Sequence, residues 1–429
     1  MKDIKMGKIS KNNIQYIISN INCSNQCVVL LRINVGSRDE SNEIKGISHL
    51  LEHMFFQGTE KYPIQKDLLN ELYKYGGNFN AFTSKSETVF YITIGEKYIE
   101  KAIEILADSF FNSLFLDKNL KKEKKVVINE INQYLSDPNT LMFYGLDEIT
   151  FKNTRFEKDI GGSEKIVQKI TVEMIKNFIN LYYLKDVILS ISGKISLKKT
   201  EELITRYFNN KINNTYKKIP KIINDKNRIL YKNHIFNQKV LASKCIHKNN
   251  ETSFIGICFP SYSYENKNVY KINLIIEILS GYMGSILYTE LRNKEGLIYH
   301  LHVTQESYED FGQLIISYGT KNKSKLMIQS IHIIFKELQS LKSKINQSDF
   351  DDAKNNIIET IKINYNDPFW HAHSYSNDYY HLKKIITIDD IIQEYKKIKL
   401  NELYPIVKEI FRPEHCNICY TGNEDIHFV

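Results

Sequence analysis

The chain has 429 residues, 42% of them hydrophobic and 25% charged, enough for two or three domains with proper cores. No run of about 18 apolar residues occurs, and the opening MKDIKMGKISKNNIQYIISN has neither the apolar core nor the small-residue cleavage site of an export leader, so membrane insertion is not expected and a cytoplasmic location is. The net charge of +8 suits an acidic partner, but the lysines alternate with asparagine and isoleucine along the whole chain instead of forming one stripe, which argues against nucleic acid as the partner.

In chain order, the first strong signal is CVVLLRINV (27–35), a β-rich run. HLLEHMFFQGTEKYP (49–63) follows. On a helix His49 and His53 are one turn apart, separated by about 40° around the axis, and Glu52 lies about 60° to the other side of His49. The opposite face carries Ile47, Leu50, Leu51, Met54 and Phe55, a full core stripe. Polar residues on so apolar a helix must face a cleft, be paired, or hold a metal. Two imidazoles at this spacing can both reach one Zn²⁺ at about 2.0–2.1 Å, although an isolated pair of this kind is more often a satisfied surface pair. After two glycines, FNAFTSKSETVFYITI (79–94) has strand character. A helix is predicted over 118–135, in which Glu123, Val127, Glu130 and Tyr134 fall on one stripe. Carboxylates on such a stripe need a counter-charge.

DVILSIS (186–192) closes the strands of the first half. The run over 211–229 is polar, basic and proline-bearing and sits at the midpoint. The chain is therefore divided into a first domain over 1–212, a linker over 213–232 and a second domain over 233–429. FIGICF (254–259) and GQLIISY (312–318) are the strands expected of the second domain. The two halves echo each other: residues 116–140 match residues 346–370 at an offset of 230, with Asp137-Pro138 on Asp367-Pro368 and Lys124 on Lys354. At that offset Glu130 falls on Thr360, Glu123 on Ala353, His49 on Leu279 and His53 on Met283, so one site is expected, in the first half. The fold class is α+β, with two related domains of mainly antiparallel sheet and helices. FWHAHSYSNDYYH (369–381) holds three further histidines, and His300 with His302 in YHLH share a strand face without an acidic or cysteine partner at useful spacing, so no second metal is expected there. Cys416 and Cys419 make a single C-x-x-C beside His415, short of a zinc ribbon's four ligands; reduced thiols are the expectation.

H-x-x-E-H is the ligand order of inverzincins. With GISHLLEHMFFQGTEKYP, GGNFNAFTSKSETVFY, KKVVINEINQYLSDP and LYTELRNKEGLIYHLH, the chain resembles the pitrilysin/insulysin family of zinc metallopeptidases, in size most like mitochondrial processing peptidase and its small bacterial relatives. The resemblance implies two domains forming half of a clamshell, and a third zinc ligand 77 residues beyond His53, which is Glu130. It implies one Zn²⁺ per chain held by His49, His53 and Glu130, with Glu52 as general base and Glu123 supporting the ligands. An ordinary surface acid remains the alternative for Glu123. It also implies that Arg292 and Tyr299 act on the scissile carbonyl, and that the segment with Asn80 and Ala81 is an edge strand pairing with extended peptide, with Thr83 and Phe56 as further contacts. The function implied is a zinc endopeptidase of short unfolded peptides or leader and targeting segments, working as a homodimer or with a related chain. The alternative from another class is a non-catalytic subunit of a heterodimeric peptidase or scaffold complex. Such subunits usually lose a ligand or the base, and here all four residues are present.

Overall fold

Eleven strands among the described residues build two sheets. The computed structural model describes residues 3–22, 24–157, 159–183, 186–209 and 241–426, so the linker expected over 213–232 lies outside them. β1 (Ile4–Lys8), β2 (Gln15–Asn20), β3 (Gln26–Ile33), β4 (Asn78–Thr83), β5 (Thr88–Gly95) and β6 (Val187–Gly193) form one sheet in the order β1-β2-β6-β3-β5-β4. β7 (Ala242–His247), β8 (Thr252–Ser261), β9 (Ile298–Ser307), β10 (Gly312–Lys321) and β11 (Asn417–Gly422) form the other, in the order β7-β11-β8-β10-β9. Every strand run expected from the sequence is present. β3 and β6 are buried almost end to end because helices cover both faces of the sheet, which is why these runs read as continuous apolar stretches rather than alternations.

The internal repeat is a repeat of topology. β2 and β6 pair in parallel, as do β7 and β11; all other pairings are antiparallel, and each sheet ends in a hairpin, β4-β5 or β9-β10. The helices that position the site and carry the repeat are α1 (Ile47–Phe55), α2 (Asp117–Ser136), α3 (Pro138–Thr150), α4 (Gln347–Ile363) and α5 (Pro368–Leu382). Asp137 and Asp367 are the N-caps of α3 and α5, accepting from the Thr140 and Phe369 N–H groups at 2.9 Å, with proline at the first helical position of each. Lys124 donates to the Gln168 carbonyl and Lys354 to the Ile398 carbonyl, each at 2.8 Å. Donor and acceptor thus both recur 230 residues on. The offset does not reach the histidine helix. The helix Asn268–Ser280, which connects β8 to β9 as α1 connects β3 to β4, ends before Met283, which is 67% exposed; the pairing of His53 with Met283 is corrected accordingly, since the intervening loops differ in length.

The chain folds as two units, and neither is a contiguous half. The first comprises Met1–Asn132, Lys158–Ile223 and Asn364–Ile386, the second Gln133–Glu157, Asn224–Ile363 and Thr387–Val429. α5, from late in the chain, packs Ala372 and Phe369 against Val28, Leu30 and Val89 of the first sheet. α3, from the first half, packs Met142 and Leu146 against Cys258, Ile315 and Cys419 of the second. Each sheet therefore receives one helix from the other half of the sequence. On its opposite face the first sheet packs against α1, with Phe55 stacked on Phe90 at 3.7 Å between ring centroids.

Candidate metal centre

α1 is anchored by a residue that the sequence reading missed. Gly46 precedes it with φ of 90°, and a Cβ there would meet the Gly161 carbonyl oxygen at 2.3 Å, so only glycine fits. The buried Glu40 carboxylate accepts from the Gly46 N–H at 2.7 Å and from the Ser48 N–H at 2.8 Å, satisfying donors that α1 leaves unpaired and placing negative charge at its N-terminus. Nothing in the sequence around Glu40 distinguishes it from other loop acids. Ile47, Leu50, Leu51, Met54 and Phe55 are buried as expected, which turns His49, Glu52 and His53 to the opposite side.

α2 brings its carboxylates to that side. His49 Nε2 lies 3.7 Å and His53 Nε2 3.4 Å from Glu130 Oε2, and the three ligand atoms lie within 4.8 Å of one another. Ligands held tetrahedrally at about 2.1 Å from one ion are about 3.4 Å apart, so two imidazoles and a carboxylate converge as a zinc donor set does. Glu123 is buried, with its Oε2 3.4 Å from His53 Nδ1; the surface-acid alternative is overturned. The buried stripe of α2 is Leu120, Glu123, Val127 and Ile131, whereas Tyr134 is 42% exposed.

The electrostatics follow from burial and mutual charge. Burial, reinforced by His53, pushes His49 down to about 4, keeping the ring in the neutral form a metal ligand needs. Burial acts on His53 in the same direction, but the Glu123 hydrogen bond and the charges of Glu130 and Glu52 outweigh it and hold His53 above its ordinary value. Burial raises the Glu52 carboxyl, opposed by a hydrogen bond from the Thr83 hydroxyl to Oε2 at 2.6 Å.

The remaining sequence candidates separate cleanly. Asn80 and Ala81 lie on β4, the edge strand, where the Ala81 N–H donates to Asn80 Oδ1 at 2.8 Å. Thr83 closes the same strand and holds Glu52. Phe56 is 2% exposed and packs on Phe79 and Phe90; its ring belongs to the core, which corrects its reading as a peptide contact. Arg292 and Tyr299 belong to the second unit, where Arg292 Nη1 donates to the Tyr299 carbonyl at 3.0 Å and Tyr299 is 80% exposed. His371 is satisfied internally by the Tyr375 hydroxyl and the Tyr365 carbonyl, and His373 Nε2 lies 3.6 Å from Glu87. His300 and His302 are exposed on β9. Cys416 and Cys419 are buried thiols pushed up to about 12 by burial.

With this geometry in view, comparison with known proteins decides the family. The model of insulinase, peptidase family M16, matches residues 16–164, and that of the peptidase M16 inactive domain matches residues 169–357. The chain belongs to peptidase family M16. A Bacillus subtilis protein named uncharacterized zinc protease YmxG is 27% identical over 412 residues, covering 94% of this chain and 95% of that one. The human mitochondrial-processing peptidase subunit beta is 31% identical over 183 residues, 42% of this chain and 37% of that one. Among solved structures, a protease from Helicobacter pylori has a TM-score of 0.87 at 20% identity, covering 98% of this chain and 99% of that one; the fold is shared throughout. No helix among the described residues is long and apolar enough to cross a membrane.

Proposed function

We propose that this M16 protein is a zinc-dependent endopeptidase acting on short unfolded peptides or on leader and targeting segments. The observation that carries this reading is the convergence of His49 Nε2, His53 Nε2 and Glu130 Oε2 beside Glu52 on the same helix. His49, His53 and Glu130 would hold one zinc ion in this cleft, and Glu123, 3.4 Å from His53 Nδ1, would take that N–H and leave Nε2 as the ligand atom. Zinc, when bound, supplies an acidified water and polarises the scissile carbonyl.

Glu52 accepts the proton of the attacking water and returns it to the leaving amine. Thr83 holds the carboxylate in place for that transfer. An extended peptide pairs with β4 through main-chain groups near Asn80 and Ala81, and to do so it displaces the Asn80 side chain from the Ala81 N–H. Arg292 and Tyr299 donate to the carbonyl oxygen as negative charge develops on it. We place these two in a chamber completed by a second chain, either another copy or a related family member.

The test is Glu52→Gln, because an amide cannot take the proton. The variant is expected to keep its zinc by elemental analysis while hydrolysis of an unstructured peptide falls about 10²- to 10⁴-fold. Parental cleavage by Glu52→Gln, or undiminished zinc in Glu130→Gln, overturns the reading.

A further inference from the structure

We propose that Cys245, His247 and Asp425 form a second zinc site, in the second unit and separate from the His49 cleft. Among the described residues this is the one other group in which three metal-ligating side chains bring their atoms within 4.8 Å of one another. Cys245 Sγ lies 3.9 Å from His247 Nδ1 and Asp425 Oδ1 lies 3.7 Å from His247 Nε2; an ion takes only one of these ring nitrogens, and with one counted the three ligand atoms still lie within 4.8 Å of one another. Zinc is borderline-soft and accepts thiolate, imidazole and carboxylate together.

The backbone explains why the three meet. Cys245 and His247 are two residues apart on β7, and therefore share a face. β7 is the edge strand of its sheet and pairs in parallel with β11, Cys245 opposite Tyr420 and His247 opposite Gly422. The chain leaving β11 is thus delivered beside the end of β7. Three hydrogen bonds hold the segment that follows: the Asn423 N–H donates to Asn322 Oδ1 at 3.3 Å, the Ser324 hydroxyl to Glu424 Oε2 at 2.7 Å, and the Ile426 N–H to the Tyr420 hydroxyl at 2.5 Å. Asp425 is fixed between these anchors.

A plain ion pair explains less. The His247 and Asp425 side chains are 65% and 67% exposed, and a pair so open to water contributes little; nor does it call for a thiol. The Cys245 S–H points at the Glu424 carbonyl, 3.6 Å away. Binding Zn²⁺ forms the S–Zn bond and releases that one proton to solvent, while the open side leaves the fourth position to water. The ion would tie the chain after β11 to β7, an edge strand among the described residues.

The experiment is a Zn²⁺ titration of the reduced, metal-stripped full chain against a competing chelator, with Co²⁺ substitution as the spectroscopic readout. The parent is expected to bind two ions. Glu130→Gln and the Cys245→Ser/His247→Ala double variant are each expected to bind one, and the triple variant none. Co²⁺ should give a thiolate charge-transfer band in the parent and in Glu130→Gln but not in Cys245→Ser. Matching thermal unfolding of the metal-stripped proteins confirms that the variants fold. If Cys245→Ser/His247→Ala binds as many ions as the parent, or if no thiolate band appears in Glu130→Gln, the second site does not exist. Failure of the first site shows differently: Glu130→Gln then binds as much zinc as the parent while the thiolate band remains.

Discussion

Thr83 ties Glu52 to the edge strand. Its hydroxyl donates to Glu52 Oε2 at 2.6 Å, so the strand proposed to receive peptide also orients the carboxylate proposed to take the proton. Thr83→Val keeps the shape and removes the donor. A hydrogen bond to a charged group is worth about 1.5–3 kcal/mol, so kcat is expected to fall about 10- to 100-fold with KM little changed, and Thr83→Ser to restore most of it. Steady-state kinetics on one peptide decide this; a rise in KM with kcat intact would mean that Thr83 contacts substrate instead. The contrast with Glu130 shows what a sequence can reveal at this scale. His49, Glu52 and His53 share a face because one helical turn puts them there, and Glu123 and Glu130 share a side of α2 for the same reason. Thr83 meets Glu52 only because β4 lies against α1, and Phe56 turns inward only because Phe79 and Phe90 make room for it. Both depend on tertiary packing that no local period encodes.

α5 covers a buried charged cluster. The cluster includes Arg32, whose guanidinium pairs with Glu87, donates to Asn377 Oδ1 at 2.6 Å and donates to Asn34 Oδ1 at 2.7 Å. The Arg32 and Glu87 side chains are 2% and 12% exposed. Burial alone would raise Glu87, but Arg32, with help from His373, outweighs it and holds the carboxyl below its ordinary value. A carboxyl depressed in the folded state contributes stability that is full above its ordinary value of 4.5 and is lost as pH falls through the lower folded value. His381 acts in the same direction: burial, with Arg32 and Arg38, pushes it down to about 3, so below 6.5 the unfolded chain takes up a proton that the folded chain refuses. Thermal unfolding from pH 7 to pH 3.5 should therefore show stability declining from about 6.5 and falling faster below about 4.5. Glu87→Gln, leaving Arg32 buried without its counter-charge, should cost about 3–5 kcal/mol at neutral pH and make the fall below about 4.5 shallower, the remainder coming from other depressed carboxyls such as Glu201 and Glu394; an equally steep fall in that variant would remove Glu87 as a contributor. The Asp-Pro repeat announced that α3 and α5 are equivalent, because an N-cap followed by proline is a local signature. That each lies on the sheet of the other half was not legible, since an amphipathic face states that it must be covered but not by which partner.

At the scale of the whole molecule, the proposed metal ligands and the Arg292–Tyr299 pair lie in different units. One chain thus carries one copy of each component. A two-fold dimer offers the simplest completion, because an isologous arrangement that brings one chain's first unit to the other's second unit does so twice. Subunit mixing tests this directly. Glu52→Gln chains lack the proposed base and Tyr299→Phe chains the proposed hydroxyl donor, and either alone is expected to be nearly inactive. In a shared-site dimer a mixed pair has one site with both residues intact and one with neither. Random pairing makes about half of the dimers mixed, so equal amounts after subunit exchange should recover about a quarter of parental activity. If each site is completed within a single chain, mixing recovers nothing. A parent protein that sediments as an inactive monomer would show instead that the completing chain is a different family member, and activity should then appear only when that chain is added.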